Sequence, residues 1–282
     1  MKHLFLLTSL LISTITFSQN ENSLLYRISG NGITKPSYLF GTIHISCEAK
    51  INTELKNALD ATTQMYLELD MDDPELQTKM AAKVHMKDGA TISSFLSAED
   101  YQLLDSYLKE KLNVSAKAFN TYKPFFLSSF FLSSLLECAP QSFESELVKI
   151  SAMQKEPVFG LETVEEQMDI FDQIPYQLQA EELIKSIRAD FKSDKEELNA
   201  LLKAYTLKDL NEMQVLFKKS DNKLMSDYED LLLVKRNKNW IGLIERISKD
   251  QPTFFGVGAA HLIGDEGVVN LLRRNGYLVE AL

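Results

Sequence analysis

Short apolar runs punctuated by Gly and Pro recur at the two ends of this chain, while its middle carries the three-to-four-residue spacing of amphipathic helices. Near the start, the apolar run at 24–28, a Gly30-Asn31-Gly32 turn and a second run at 38–40 predict a β-hairpin. The second run ends in Gly41-Thr-Ile-His44, followed by a helical pattern over 52–63 with Ile51, Leu55 and Leu59 on one face, then a strand-like stretch at 65–70. The other end repeats the device. A buried strand at 253–258 runs into Gly258-Ala-Ala-His261; Asp265 is the expected N-cap of a helix over 266–274, Asn275-Gly276 stops it, and 277–280 reads as a last strand. Each half is a β-turn-α-β unit, which predicts parallel paired strands and right-handed crossovers. Gly41 and Gly258 allow the sharp turn at a strand end, so His44 and His261 are aimed at the crevice above the sheet.

Between these ends the pattern is helical. Asp73-Pro74 marks a helix start, and Ser97 to Asp100 resembles a capping box ahead of a helix over 101–112. The Phe-rich run at 124–136 has about 12 apolar-rich residues, short of the ~20 a bilayer span needs, and reads as a buried helix. A strand at 157–160 ends at Gly160, and a capping box from Thr163 to Glu166 opens the next helix, so Glu162 falls at the carboxyl end of a strand. Everything from 164 to 250 then reads as a helical cap, with Arg236 and Asn237 in its last helix. The expected fold is α/β: a central, mostly parallel sheet built from two β-α-β repeats at the chain ends, with a helical insertion over roughly 73–155 and a helical cap over roughly 164–250. Residues 19–282 are read as one domain, since no Pro/Gly/Ser-rich linker divides them.

Residues 1–18 have the layout of a signal peptide, with Lys2 ahead of an apolar stretch and small residues at Thr16 and Ser18. Export to a periplasmic or extracellular space is therefore expected, with no stable membrane span after its removal. Losing Lys2 takes the formal charge from −10 to −11, and no basic cluster stands out, which argues against a nucleic-acid partner. In such a compartment Cys47 and Cys138 are either bridged or two buried thiols.

The candidate chemistry rests on His44 and His261, with Glu68 and Glu162 as carboxylates expected at the same strand ends. Two imidazoles and one or two carboxylates make a mixed nitrogen and oxygen site for manganese, cobalt, iron or zinc, able to activate a bound water. Each carboxylate could instead orient a ring, and Arg236 reads either as a stabiliser of a developing oxyanion or as the partner of Glu68 or Glu162 in a buried ion pair. His85, on a polar helix, reads as a surface residue. Rival motifs are missing: there is no His-Glu-x-x-His and no Gly-x-Ser-x-Gly, and Gly256-Val-Gly258 fails as a dinucleotide fingerprint because His261 stands where the third glycine should be.

Six features in order carry a family resemblance: Gly41-Thr-Ile-His44; Glu68-Leu-Asp70; Gly160-Leu-Glu162-Thr163 with Gln167; Arg236-Asn237; Gly258-Ala-Ala-His261-Leu-x-Gly264-x-x-Gly267; and Gly276-Tyr277-x-Val279. Together they resemble the TraB/GumN family, which includes Tiki-type proteases and is distantly similar to erythromycin esterases and ChaN-like haem-binding proteins. The resemblance covers nearly the whole chain after the leader. It implies an α/β fold and a metal-dependent hydrolytic site at the two Gly-x-x-His turns, a peptidase using manganese or cobalt in Tiki-type members; with zinc admitted by the donor set, the expected cofactor is manganese, cobalt or zinc and the expected substrate a peptide or other small acyl compound. Two other readings stay open: a non-catalytic protein that captures a peptide under the helical lid, and a haem-binding protein.

Overall fold

The hairpin forms as the alternation predicts. In the computed structural model, which describes residues 22–282, β1 (Leu25–Ser29) pairs antiparallel with β2 (Ser37–Thr42) from Leu25↔Phe40 to Ile28↔Ser37. The turn between them holds Gly30, Asn31 and Gly32 at positive φ, a left-handed conformation that costs glycine nothing and asparagine little. The expected signal peptide at 1–18 lies outside the described residues.

Four more strands complete a mixed, mostly parallel six-stranded sheet: β3 (Met65–Leu67), β4 (Val158–Gly160), β5 (Phe254–Gly258) and β6 (Leu278–Ala281). Their spatial order is β4-β3-β5-β2-β1-β6, with β4, β3, β5 and β2 mutually parallel and β1 antiparallel to both its neighbours. Neither predicted repeat closes on itself. The chain leaves β2 through the helix Thr53–Asp60 and returns as β3, but β5 lies between the two. Likewise β5 and β6, joined through the helix Val268–Arg274, are separated by β2 and β1. The reason is burial: Phe254, Phe255 and Val257 of β5 have no exposed surface, and such a two-sided apolar run belongs in the middle of a sheet covered on both faces.

Two local expectations also need correction. The last helix starts at Val268 with Gly267 at its N-cap, not at Asp265, because a short 3₁₀ turn, Ala259–Leu262, takes up the residues after β5 and carries His261. The chain folds back so tightly there that a Cβ on Gly267 would lie 2.4 Å from the Leu262 carbonyl oxygen. The strand expected over 65–70 is regular only to Leu67, yet its pairing continues: Leu161 N–H donates to Leu67 and Glu162 N–H to Glu68.

Apart from β4, the chain between β3 and β5 is helical, and its helices build a second core away from the sheet. The Phe-rich run becomes the helix Pro124–Leu132, which buries Leu127 and Phe131 against Leu183 and Ile187 of the helix Tyr176–Arg188. Cys47 and Cys138 are bridged, with Cα atoms 5.6 Å apart. Among the described residues no helix is long and apolar enough to cross a membrane.

Candidate functional site

Parallel pairing of β2 with β5 puts Thr42 opposite Gly258, so both Gly-x-x-His turns leave the sheet at one edge. Parallel β3 and β4 end at the same edge, where Glu162 N–H donates to the Glu68 carbonyl at 3.0 Å. Three of these strand ends, those of β2, β3 and β5, converge on Gly258. A Cβ placed there would lie 3.2 Å from Glu68 Oε1, 3.6 Å from His44 Nε2 and 3.7 Å from His261 Cδ2, which keeps those two ring atoms within about 7 Å of each other.

Arg236 occupies the middle of the site. It sits at the start of the helix Lys235–Asp250, just after a widened turn, Asp230–Val234, of the kind that often marks functional positions in helices. Its Nη2 donates to Glu68 Oε2 at 2.6 Å and to Glu162 Oε1 at 2.5 Å, and Nε donates to both Glu162 oxygens. Nη1 donates to the Leu232 carbonyl and, at 3.0 Å, to His261 Nε2, while the Trp240 ring lies 4.8 Å from the guanidinium carbon. The ion pair expected with Glu68 or Glu162 is present with both carboxylates at once. Gln167 joins them too, its amide nitrogen donating to Glu68 at 3.2 Å and Glu162 at 3.0 Å.

One guanidinium shared by two carboxylates separates their acidities. For Glu68, burial pushes the pKa up, but Arg236, His44 and the Gly258 N–H at 2.7 Å outweigh it and hold the group well below the usual carboxylate range. For Glu162, burial dominates over Arg236, the like charge of Glu68 adds to it, and the pKa rises.

His261 is 3 % exposed, and its proton can be placed from its neighbours. Asn237 spends its amide N–H on the Glu266 carbonyl at 2.8 Å, so its oxygen faces His261 Nδ1 at 2.6 Å and must accept. Nδ1 therefore carries the hydrogen, and the Nε2 lone pair receives Arg236. Burial first, then the positive charge of Arg236, lower the ring's pKa to about 3 despite Glu68. The sign for stability follows: above 6.5 neither folded nor unfolded ring is charged, and below it only the unfolded one gains a proton, so stability falls between 6.5 and about 3. Each pH unit crossed in that window costs at most about 1.4 kcal/mol. Urea midpoints of the native chain should fall with acid more steeply than those of His261→Gln; parallel profiles would contradict the neutral ring.

His44 differs from its counterpart. Its side chain is 69 % exposed, and Nδ1 donates to Glu144 Oε1 at 2.8 Å. Desolvation in the crevice pulls the ring's pKa down, but Glu144 and, more weakly, Glu68 raise it to about 9, a shift that solvent at so open a ring will reduce. Sequence reasoning passes over Glu144, since an acid in the first turn of a helix ordinarily complements the dipole from solvent. Here it is buried in the helix Phe143–Gln154, and the signal that could have flagged it is the nearby cysteine. The Cys47–Cys138 bridge and a reciprocal backbone pair between Ser46 and Gln141 lay this segment beside the His44 loop. His85 is exposed and bonded to Thr121, away from the crevice. Gly160 is packed so closely that a Cβ would sit 2.6 Å from the Glu162 carbonyl, and one on Gly41 would meet Leu262 Cδ1 at the same distance.

His44, His261, Glu68, Glu162 and Arg236 are thus brought together, but not as a coordination shell. Among the described residues no three His, Cys, Asp or Glu side chains are arranged to hold a metal ion. The donor chemistry says why: both Glu162 oxygens, Glu68 Oε2 and the His261 lone pair face the guanidinium, a cation standing where a shared ion would sit. In this arrangement Glu68, Glu162 and His261 do not together fit a divalent metal; Arg236 would have to leave first.

Comparison with known proteins gives three relatives and one family. The sequence model of the TraB/PrgY/gumN family matches residues 24–281. A zebrafish (Danio rerio) protein named Metalloprotease TIKI2 is 24% identical over 93% of this chain and 61% of its own length. The Xenopus tropicalis protein of the same name is 25% identical, with 93% and 60% covered. Zebrafish Metalloprotease TIKI1 is 24% identical, with 95% and 64% covered. This chain therefore spans about three fifths of the length of these relatives. No solved structure matches it at a significant level.

Proposed function

We propose, from the premise that this chain belongs to the TraB/PrgY/gumN family, that it is a hydrolase of peptidase type acting at the sheet edge where His44, Glu68 and Arg236 meet. One observation carries the reading: the two Gly-x-x-His turns and Glu68 converge on a glycine that has no side chain to fill the space between them. The metalloprotease names of the relatives support it.

In this reading His44 Nε2, in the fraction of rings that is neutral and which grows as pH rises toward about 9, takes a proton from the attacking water and returns it to the leaving amine. Glu68, held ionised, orients the water, and Arg236, held in place by His261 Nε2 at 3.0 Å, supplies fixed positive charge beside the developing anion. The relatives' names suggest a metal, and manganese, cobalt or zinc would act as a Lewis acid, but Glu162, Glu68 Oε2 and His261 Nε2 already face Arg236. The Cys47–Cys138 bridge supports export to an oxidising compartment.

The test is turnover of internally quenched peptides, with metal content measured on the same preparations. His44→Ala and His261→Ala should each lower kcat by about 100-fold or more, and the double variant should be no worse, as for members of one catalytic unit. Undiminished turnover in either single variant would sink the assignment. The guanidinium bridging both carboxylates favours a second reading, a non-catalytic protein that captures a peptide. Tight peptide binding without turnover in added manganese, cobalt or zinc would select it.

A further inference from the structure

We infer that Glu144 is a positioning residue for His44, fixing which ring nitrogen faces the reacting groups. The inference rests on the hydrolytic reading of His44. Glu144 is 7% exposed, and its carboxylate is fully engaged: Oε1 accepts from Thr42 Oγ1 at 2.6 Å and from His44 Nδ1 at 2.8 Å, Oε2 from Ser142 Oγ at 2.7 Å. The helix that carries it does not require this burial. Ser142 already caps that helix through the Ser145 N–H, and a first-turn acid serves the dipole equally well from solvent. A buried carboxylate without a structural need points to the group it holds.

That group is a ring open to water, standing in the wall of a polar cleft of about 600 Å³ lined also by Gln141, Ser142, Ser145, Glu146 and Lys149. Left alone, so exposed an imidazole would exchange rotamers and tautomers. Glu144 keeps the hydrogen on Nδ1, so Nε2 is the nitrogen turned toward Gly258 and Glu68. Besides the Thr42 bond to the end of β2, the Cys47–Cys138 bridge, the Ser46–Gln141 pair and the Ala49 N–H bond to Gln141 Oε1 at 3.1 Å tie its segment to the His44 loop. Its three contacts come from two segments about 100 residues apart, as expected of a part built for this ring.

The experiment compares the native chain with Glu144→Gln and Glu144→Leu, on an internally quenched peptide library with manganese chloride and, separately, by ring-nitrogen NMR of the histidines in metal-free protein. Turnover should fall about tenfold or more in kcat with KM within about twofold, and the His44 Nδ1–H signal should be lost or moved at a pH that leaves the ring neutral. In a His44→Ala background Glu144→Gln should lower the rate no further, whereas a merely structural role would lower it again. Native kcat in the folded variants, or unmoved His44 resonances in Glu144→Leu, would overturn the assignment. Should the native chain turn over no peptide, the hydrolytic reading fails by itself, and the NMR arm still decides whether Glu144 sets the ring.

Discussion

Arg236→Met is expected to destabilise the fold by about 3–5 kcal/mol, the cost of leaving buried charges without their partner. For a chain of this size that is a loss of roughly 10 °C in thermal midpoint. The magnitude follows from what the guanidinium does at once: it bonds both carboxylates of Glu68 and Glu162 and covers the His261 lone pair, all in water-poor surroundings. Methionine fills the volume and offers no donor. Lysine keeps the charge but not the fork, so Arg236→Lys should recover only part of the loss. Adding Glu162→Gln to Arg236→Met removes one of the orphaned charges and should restore a measurable fraction. Thermal unfolding of the three variants beside the native chain decides the matter; a midpoint for Arg236→Met within about 2 °C of the native value would show the triad to be energetically idle.

Reduction of Cys47–Cys138 should cost about as much by a different route. The bridge closes a loop of 91 residues, and the chain-entropy account assigns such a loop roughly 4–5 kcal/mol. Cys47 is exposed and Cys138 partly so, which leaves the bond open to reductant. Peptide turnover should fall along with stability, because the same bridge holds Glu144 against His44. Calorimetry of the native chain with and without dithiothreitol, beside Cys47→Ser/Cys138→Ser, measures the effect. Identical midpoints in all three samples would mean that the Ser46–Gln141 pairing alone secures this junction.

Much of the site could be read from local pattern. Gly41 and Gly258 after apolar runs announced two strand-end turns, and the Thr163–Glu166 capping box placed Glu162 beside the end of β4. What escaped depends on groups far apart in the chain. Strand order is chosen by competition for the doubly covered centre, and β5 wins it over β3 through Phe254, Phe255 and Val257, which no rule about consecutive strands anticipates. Glu144 acquires meaning only when a disulfide brings it to His44. Arg236 was in view with either carboxylate alone as its partner; that it takes both, and His261 as well, depends on a long side chain reaching three segments.

The order of the strands also dictates the order in which the molecule can assemble. β2 and β3 are synthesised early, yet each has its inner edge filled only by β5, almost 200 residues later than β3, and β1 waits for β6 at the very end. Until then two apolar strands stand with unpaired backbone edges, the condition that invites pairing with other chains. Contacts of such long sequence separation make for slow closure. A nascent chain lacking its last thirty residues therefore has no continuous sheet to fold around, and the helical core built on Leu104, Leu127 and Leu183 is the part that can form first.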